Sequence, residues 1–273
     1  MDNSFTPPRA LTIAGTDSGG CAGVLADIKT FSALGVFGTA AIVAVTSQNT
    51  LGVSHVEALS AKSLSTQIDA VLSDIGADAV KTGMLFSAEL IEVVADRLKY
   101  WKVENFVLDP VMVASTKAAL LQKDTNFTMM EKLFGLASVI TPNLYEAEVL
   151  SGITIKNNDD KKKAMERIID KGANSVLLKG GHGTGKDAVD LWFDGHSLRK
   201  FNAPRINTRN THGTGCTYSA AITAFLAKKL PLEEAIREAK KYIAAAIKEG
   251  ASISIGNGAG PVSFFNSQMC VNE

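Results

Sequence analysis

Residues 11–34 read LTIAGTDSGGCAGVLADIKTFSAL, and this stretch decides the fold. It opens on a short apolar run, Leu11 to Ala14, passes through a Gly-rich turn and continues as an amphipathic stretch from Ala22 to Leu34. A short strand that is apolar on both faces suits a parallel sheet, and the amphipathic stretch is typical of a helix that covers such a sheet. The segment therefore predicts one strand–helix unit.

The same alternation continues along the chain. Short apolar runs are followed by amphipathic stretches or by loops, in the order Ala40–Thr46 with 65–75, Ala79–Lys81 with 87–100, Phe106–Leu108, Val139–Ile140 with 143–150, and Val176–Leu178. Strands that alternate with helices predict right-handed crossover units. We therefore expect an α/β fold, doubly wound, with a mostly parallel central sheet and helices on both faces.

Residues 188–208 break this rhythm. Two strand-like runs, Ala188–Phe193 and Ser197–Phe201, flank the turn signal Asp194-Gly195, which predicts a small β-hairpin. Two helices should follow, near 216–228 and 233–249. No linker divides the chain, so we expect a single domain over 1–273 with a loose leader at 1–9.

Composition excludes several classes of protein. Lys and Arg number 28 and Asp and Glu number 28, so the basic surplus typical of a nucleic-acid binder is missing. Three Cys without a Cys-x-x-Cys pair, and four scattered His, argue against a disulfide scaffold or a zinc site. No apolar run has the length of a membrane span and no signal pattern opens the chain, which favours a cytoplasmic protein.

The most informative motif is NTHGTGCTYSAA, residues 210–221, in which a Gly-rich turn enters a helix. The N–H groups of Gly213, Thr214 and Gly215, together with the helix dipole, would form an anion site. Cys216 falls in the first helical turn, where we expect a lowered thiol pKa and a role as a base. Equally, the glycines could form only a tight turn around Cys216 as a small buried residue.

Polar residues follow or cover other predicted strands. Asp27 falls inside the apolar arc of the first helix, where a carboxylate is costly unless it is paired, meets a ligand or reaches water at the helix edge. Gln48 ends the second strand and offers a donor and an acceptor, which suits a heteroaromatic amine or a surface turn. Asn143 and Glu146 share one helix face and suit either a water-rich Mg²⁺ site or an N-terminal cap.

One motif misleads. Residues 180–187, GGHGTGKD, nearly match a nucleotide-binding P-loop, but Asp187 stands where a metal-binding hydroxyl is required. The following residues are strand-like rather than helical. We therefore expect no P-loop here.

Taken together and in order, these motifs resemble the hydroxymethylpyrimidine/phosphomethylpyrimidine kinases of thiamine biosynthesis, a family of the ribokinase-like superfamily. The resemblance covers roughly residues 10–265 and is carried by AGTDSGG, ADIKTF, QNT, KTGM, LDPVM, ITPN, LKGGH and NTHGTGCT. It implies an ATP- and Mg²⁺-dependent phosphotransferase, with a monovalent cation as an option, that phosphorylates 4-amino-5-hydroxymethyl-2-methylpyrimidine and then its monophosphate. It also implies a homodimer, and neither nucleic acid nor membrane as a partner.

The resemblance assigns roles to individual residues. The pyrimidine pocket would be lined by Gly15, Asp27, Gln48, Met84 and Val111. Gly213, Thr214 and Gly215 would form the anion hole and Cys216 would be the base. Lys179, Asp109 and Asn143 would lie near the phosphates, and Glu146 with Asn143 would organise Mg²⁺ through water.

Two alternatives stay open on sequence alone. The same scaffold serves pyridoxal kinases, and a catalytically silent pyrimidine-binding protein would share the pocket.

Two further expectations concern single segments. Cys21 stands in the Gly-rich turn where Gly is expected, so a positive φ would strain it, and its thiol would lie near the pocket, open to oxidation. Residues 112–123 are expected to form a mobile flap.

Overall fold

The computed structural model describes residues 5–112, 125–181 and 185–265. Ten strands lie in this part of the chain: β1 Arg9–Ala14, β2 Phe37–Ile42, β3 Ala44–Gln48, β4 Val53–Ala58, β5 Ala79–Thr82, β6 Phe106–Leu108, β7 Val139–Ile140, β8 Val176–Leu178, β9 Asp187–Phe193 and β10 Leu198–Pro204. Eight α-helices accompany them: α1 Gly23–Ala33, α2 Ala61–Ala70, α3 Ala88–Tyr100, α4 Thr125–Leu133, α5 Leu144–Ser151, α6 Asn158–Asp170, α7 Thr214–Ala227 and α8 Leu232–Gly250.

Eight of these strands form one sheet in the order β10-β9-β8-β7-β6-β5-β1-β2. Six strands of this sheet are parallel, namely β2, β1, β5, β6, β7 and β8, and β9 and β10 add an antiparallel edge. Strand order reverses on either side of β1, so the crossovers lead in opposite directions and cover both faces. The predicted doubly wound fold is confirmed.

Apolar side chains of each strand alternate between two cores. Leu11 and Ile13 of β1 join a core that is closed by α2, α3, α4 and α6, whereas Ala10 joins the core beneath α1, α7 and α8. Because both faces are covered, the strands are apolar on both sides, as expected of a parallel sheet. Loops at the carboxyl ends of the strands are left to form a site.

The hairpin regions differ from the prediction. The hairpin at 188–208 exists, but β9 pairs with β8, so it extends the main sheet rather than standing apart. The predicted strand Ala40–Thr46 is wrong as one element: it divides at Val43 into β2 and β3, and β3 pairs with β4 in a separate antiparallel sheet. Gln48 therefore lies on a hairpin, not at the end of a central strand.

Three segment boundaries also change. Arg9 begins β1 and is not part of a leader, because its guanidinium binds the Asp78 carboxylate at 3.0 Å. The second predicted helix starts four residues early, at Ala61, where the Ser60 hydroxyl caps it. The predicted flap at 112–123 lies, except for the buried Met112, outside the described residues.

Candidate active site

A cavity of about 1040 Å³ opens at the carboxyl ends of the parallel strands. Residues that directly follow a strand line it: Gly15 after β1, Gly83 and Met84 after β5, Asp109 after β6, and Lys179 after β8. The first turn of α7 and the hairpin residue Gln48 complete the wall. One cavity thus joins the predicted anion-binding turn to the predicted pyrimidine pocket.

The turn before α7 has a shape that only glycine allows. Gly213 has φ of +80°, the left-handed region, and a Cβ there would overlap the carbonyl oxygen of Cys21. Thr214 is fixed to the Thr211 carbonyl through both its N–H, at 3.2 Å, and its hydroxyl, at 2.8 Å. The Thr214 N–H is thus already paired, which corrects its predicted place among the anion-hole donors. The other N–H groups of the first helical turn have no intrahelical acceptor, so the turn still presents donors to the cavity.

A lysine stands beside these donors. The Lys179 Nζ lies 2.8 Å from Asp109 Oδ1, and it also faces Gly215, where a Cβ would lie 3.5 Å from it. Burial alone would lower the pKa of Lys179, but the carboxylates of Asp109 and Glu146 outweigh it and raise that pKa. Lys179 is therefore a fixed cation beside the first turn of α7; its place near the phosphates stays a prediction.

Asp109 is itself held in place. Its Oδ1 accepts from the Thr141 hydroxyl at 2.9 Å and its Oδ2 from the Ser219 hydroxyl of α7 at 3.1 Å. The side chain is 1% exposed. Its hydrogen bonds connect the end of β6 to α7, so the strand ends and the anion-binding turn keep a fixed spacing.

Cys216 departs from its predicted chemistry. It is partly exposed in the cavity wall, but burial raises the pKa of its thiol to about 11. The ammonium of Lys81 opposes this rise, whereas the carboxylates of Asp27 and Asp109 add to it. A hydrogen bond from the Gly23 N–H also lowers the thiol pKa, but it is the smallest of these effects. The predicted lowering by the helix N-terminus is therefore wrong: desolvation and two neighbouring carboxylates outweigh it.

Asp27 does not line the cavity. It is fully buried behind it, where Lys81 Nζ lies 2.9 and 2.8 Å from its two oxygens and the Thr12 hydroxyl donates at 2.6 Å. Burial opposes the charge of Lys81, but Asp27, Cys216 and Asp109 outweigh it, so the pKa of Lys81 is raised. The predicted substrate contact of Asp27 is corrected: it is the partner of Lys81, which does reach the cavity.

Asn143 and Glu146 form the N-terminal cap of α5. The Asn143 Oδ1 accepts from the Glu146 N–H at 2.9 Å, and the Glu146 Oε2 accepts from the Asn143 N–H at 2.8 Å. Burial raises the pKa of Glu146 to about 7, with Lys179 opposing and Asp109 adding to the shift. Both residues also line the cavity, so the cap places an ionisable carboxyl beside Lys179.

Four of the five predicted pyrimidine residues line the cavity, namely Gly15, Gln48, Met84 and Val111. Gly15 and Met84 are in close contact, since a Cβ on Gly15 would lie 2.5 Å from the Met84 terminal methyl. The glycine therefore leaves room for the Met84 thioether, which offers a polarisable apolar surface in the cavity wall.

Sequence reasoning missed Asp17 and His212, which are both buried. Asp17 accepts N–H bonds from Gly19, Cys21 and Ala22 and lies 3.1 Å from His212 Nε2. Apart from its place directly before Gly213, the sequence carries no signal for His212, because its partners come from distant turns.

Cys21 is not strained. Positive φ falls instead on its neighbours Gly20, at +71°, and Gly23, at +59°. Its thiol lies within 4.8 Å of Asp17 and His212 ligand atoms, a spacing that metals also use. Because Asp17 already accepts from three N–H groups, we interpret the cluster as a turn lock. Burial raises the Cys21 thiol pKa, which disfavours the oxidation we expected.

Fold and site together define a class: an α/β small-molecule kinase of the ribokinase-like kind, with a helix N-terminus and a lysine in the wall of one cavity. The model of one family, phosphomethylpyrimidine kinase, matches residues 17–263. This chain belongs to that family, as its motifs predicted.

Known proteins agree. The hydroxymethylpyrimidine/phosphomethylpyrimidine kinase of Rhizobium meliloti is 50% identical over 94% of this chain and 97% of its own. A phosphomethylpyrimidine kinase structure from Clostridium difficile has a TM-score of 0.78 at 42% identity, covering 88% of this chain and 99% of the other. An ADP complex of Bacillus subtilis pyridoxal kinase has a TM-score of 0.88 at 39% identity, covering 95% and 98%.

Within the described parts of the chain, none of the helices combines the length and the apolarity that crossing a membrane would need.

Proposed function

We propose that this protein transfers the γ-phosphoryl group of ATP to the hydroxymethyl group of 4-amino-5-hydroxymethyl-2-methylpyrimidine, and then phosphorylates the monophosphate to the diphosphate, as a step of thiamine biosynthesis. One observation carries the proposal. A single cavity is lined both by the first turn of α7 with Lys179 and by Gln48 with Met84. Membership of the phosphomethylpyrimidine kinase family supports the choice of substrate.

The first turn of α7 is the proposed phosphoryl site. In phosphoryl transfer, negative charge spreads over the oxygens of the group in flight, so fixed donors at that position stabilise the transition state. N–H groups of Gly213 and Gly215 would supply these donors, and Lys179 would neutralise charge on the ATP side. Asp109 is a positioning residue, because its contact with Lys179 holds the ammonium next to Gly215.

The proposed base is Cys216. The first phosphorylation must remove a proton from a hydroxyl, and a Cys216 thiolate beside Lys81 would take it. The thiol is neutral at pH 7, since its pKa is about 11, so base catalysis depends on a small thiolate fraction or on proton loss as substrate binds. The second phosphorylation needs no base because the monophosphate is already anionic.

The residues around Glu146 fit a magnesium ion held through water. Two carboxyl groups, of Glu146 and Asp109, meet one lysine, and burial raises the pKa of Glu146 to about 7 although Lys179 opposes the rise. Oxygen donors of Glu146 and Asn143 have the chemistry that Mg²⁺ prefers. When bound, the ion would neutralise charge on the ATP phosphates.

The pyridoxal kinase alternative rests on one observation, the strong structural likeness to the Bacillus subtilis enzyme. Pyridoxal also presents a hydroxymethyl group on a nitrogen heterocycle, so the same anion turn would serve it. The higher identity to a hydroxymethylpyrimidine/phosphomethylpyrimidine kinase favours the pyrimidine as the main acceptor.

A turnover assay decides between these activities. Purified protein is given MgATP with the pyrimidine, with its monophosphate, with pyridoxal or with no acceptor, and ADP and phosphorylated product are both measured. We expect product with the first two and a much lower kcat/KM with pyridoxal. Turnover of pyridoxal alone would assign the pyridoxal kinase activity, and no product with any acceptor would assign a binding protein.

The proposal includes a homodimer in the cytoplasm, as the resemblance implies. Sedimentation velocity at micromolar concentration should give the mass of two chains. A monomer at the concentration used in the assay would contradict the dimer without affecting the proposed activity.

A further inference from the structure

His212 connects the two Gly-rich turns to the acceptor pocket. It is 3% exposed and directly precedes Gly213 of the anion turn. Its Nε2 lies 3.1 Å from Asp17 Oδ2, and also 3.1 Å from one end of the Gln48 side-chain amide. Gln48 itself lines the cavity. A buried imidazole thus stands between a fixed carboxylate and the residue proposed to bind the pyrimidine.

Asp17 determines which ring nitrogen of His212 carries a hydrogen. It accepts N–H bonds from Gly19 at 2.8 Å, from Cys21 at 3.1 Å and from Ala22 at 2.9 Å. Burial tends to raise the pKa of Asp17, but its bonds to His212 and to these N–H groups outweigh burial and lower that pKa. Asp17 is therefore an ionised acceptor, and His212 Nε2 must carry a hydrogen toward it.

That hydrogen constrains the amide of Gln48. An Nε2 that carries hydrogen cannot accept, so the amide end beside it must be the oxygen. Amide nitrogen and oxygen are told apart by their partners. If the amide nitrogen pointed toward His212 and the amide oxygen toward Thr46, the imidazole N–H would meet a second donor. The partners favour the reversed orientation.

Thr46 gives the same answer independently. Its hydroxyl lies 2.8 Å from the Thr16 carbonyl oxygen, to which it donates its only hydrogen, and 3.4 Å from the other end of the Gln48 amide. A hydroxyl whose hydrogen is already used can only accept there, so that amide end must be the nitrogen. Both ends therefore agree: oxygen toward His212, nitrogen toward Thr46.

We propose that His212, held by Asp17, is a positioning residue that fixes the Gln48 amide in one orientation and so selects acceptors with a ring-nitrogen acceptor beside an amino donor. The inference rests on the proposed function, in which Gln48 binds that edge of the pyrimidine. The reversed amide would match the opposite pattern, a ring N–H beside a carbonyl. An amide that is free to turn would accept both patterns.

The test compares two substrates and two substitutions. Wild type, His212→Leu and His212→Gln are assayed with the 4-amino pyrimidine and with its 4-oxo analogue, which carries the opposite pattern. Wild type should favour the amino compound in kcat/KM by about 100-fold or more, since a mismatched hydrogen-bond pattern leaves buried groups unpaired. His212→Leu should reduce this ratio at least about tenfold, through KM for the pyrimidine, while KM for ATP changes little. His212→Gln should restore most of it, because its amide donates two hydrogens.

Each outcome has a defined meaning. An unchanged ratio in a folded His212→Leu variant, or equal losses for both substrates without rescue by Gln, would overturn the positioning role. If His212→Leu does not fold, Thr46→Val decides, because it removes the acceptor at the other amide end and should also reduce the ratio. No turnover of the amino compound by wild type would instead refute the proposed function itself.

Discussion

Cys216 has charges of both signs as neighbours: the ammonium groups of Lys81 and Lys179, and the carboxylates of Asp27 and Asp109. Because the thiol pKa is about 11, the thiolate fraction rises tenfold with each pH unit across the neutral range. This gives the base role a signature that a structural role does not share.

We expect kcat for the first phosphorylation to rise with pH from 7 to 9, by up to about 100-fold, and kcat for the second to change little. Cys216→Ala should remove most of the first activity, flatten its pH profile and spare the second activity. Stopped assays with each substrate across this range measure the effect. Cys21→Ala, which alters a buried thiol outside the cavity wall, is the control. Equal loss of both steps would exclude the base role.

Glu146 should make stability depend on pH. Its pKa is about 7 in the folded protein against 4.5 ordinarily, so folding favours the protonated form. That contribution is complete below about pH 4.5 and is lost as pH rises through about 7. Wild type should therefore lose about 2–3 kcal/mol of unfolding free energy between pH 5 and 8, relative to Glu146→Gln. Urea unfolding of both proteins at each pH measures this difference, and parallel curves would contradict it.

At the scale of single residues, sequence reasoning succeeded where a residue follows a strand directly. Lys179, Asp109 and Met84 are brought to the cavity by the strand that precedes each of them. It failed for Asp27 and His212, whose partners lie on other elements. An ion pair or a histidine contact depends on three-dimensional neighbours, which one chain without its fold does not display.

At the scale of elements, α1 and β5 are joined by the buried pair of Asp27 and Lys81. Removing one partner leaves an unpaired charge in the core, so Lys81→Met should lower the unfolding free energy by about 3–5 kcal/mol. The double variant Asp27→Leu with Lys81→Met should recover most of this loss. Chemical denaturation of the single and double variants tests the pair. A double variant less stable than Lys81→Met would show that other contacts of Asp27 dominate.

Substitution of Gly213, in the turn that begins α7, is expected to impair ATP binding more than substitution of another glycine with the same backbone conformation. Gly213→Ala should raise KM for ATP at least about tenfold, because a methyl group there meets the Cys21 carbonyl as well as an unfavourable φ. Gly152 is a matched control, with φ of +75° and no atom within 4 Å of an added Cβ. Gly152→Ala should cost about 1 kcal/mol of stability from φ alone and leave KM unchanged. Equal effects would mean that the contact with Cys21 is unimportant.

Most elements were predictable because apolar runs and amphipathic stretches have distinct periods. Helix α3 begins and ends where its pattern and the Ser87 cap indicate. The division of residues 37–48 into β2 and β3 was not, because an unbroken apolar run gives no sign that its second half leaves the sheet. β3 leaves the main sheet because it pairs with β4, and the mostly exposed sequence of β4 does not predict a strand.

At the scale of the whole molecule, two cores share one sheet. Every strand from β1 to β8 in that sheet is bounded by both, so loss of one core exposes the other. We expect one cooperative thermal transition, with the calorimetric enthalpy equal to the van't Hoff enthalpy of the cooperative unit. Two separate transitions would contradict the predicted single domain. The doubly wound class followed from alternation alone, but strand order needed the structure.

The contact between Gly213 and the Cys21 carbonyl also has a consequence for synthesis. The turn at Cys21 belongs to the first strand–helix unit, which leaves the ribosome long before α7 is translated. Until α7 arrives, the growing chain contains Asp17 and Cys21 but neither their partner His212 nor the turn proposed to bind phosphate. A nascent or prematurely ended chain is therefore unable to engage ATP, and competence for catalysis begins only when the last part of the polypeptide closes onto the first.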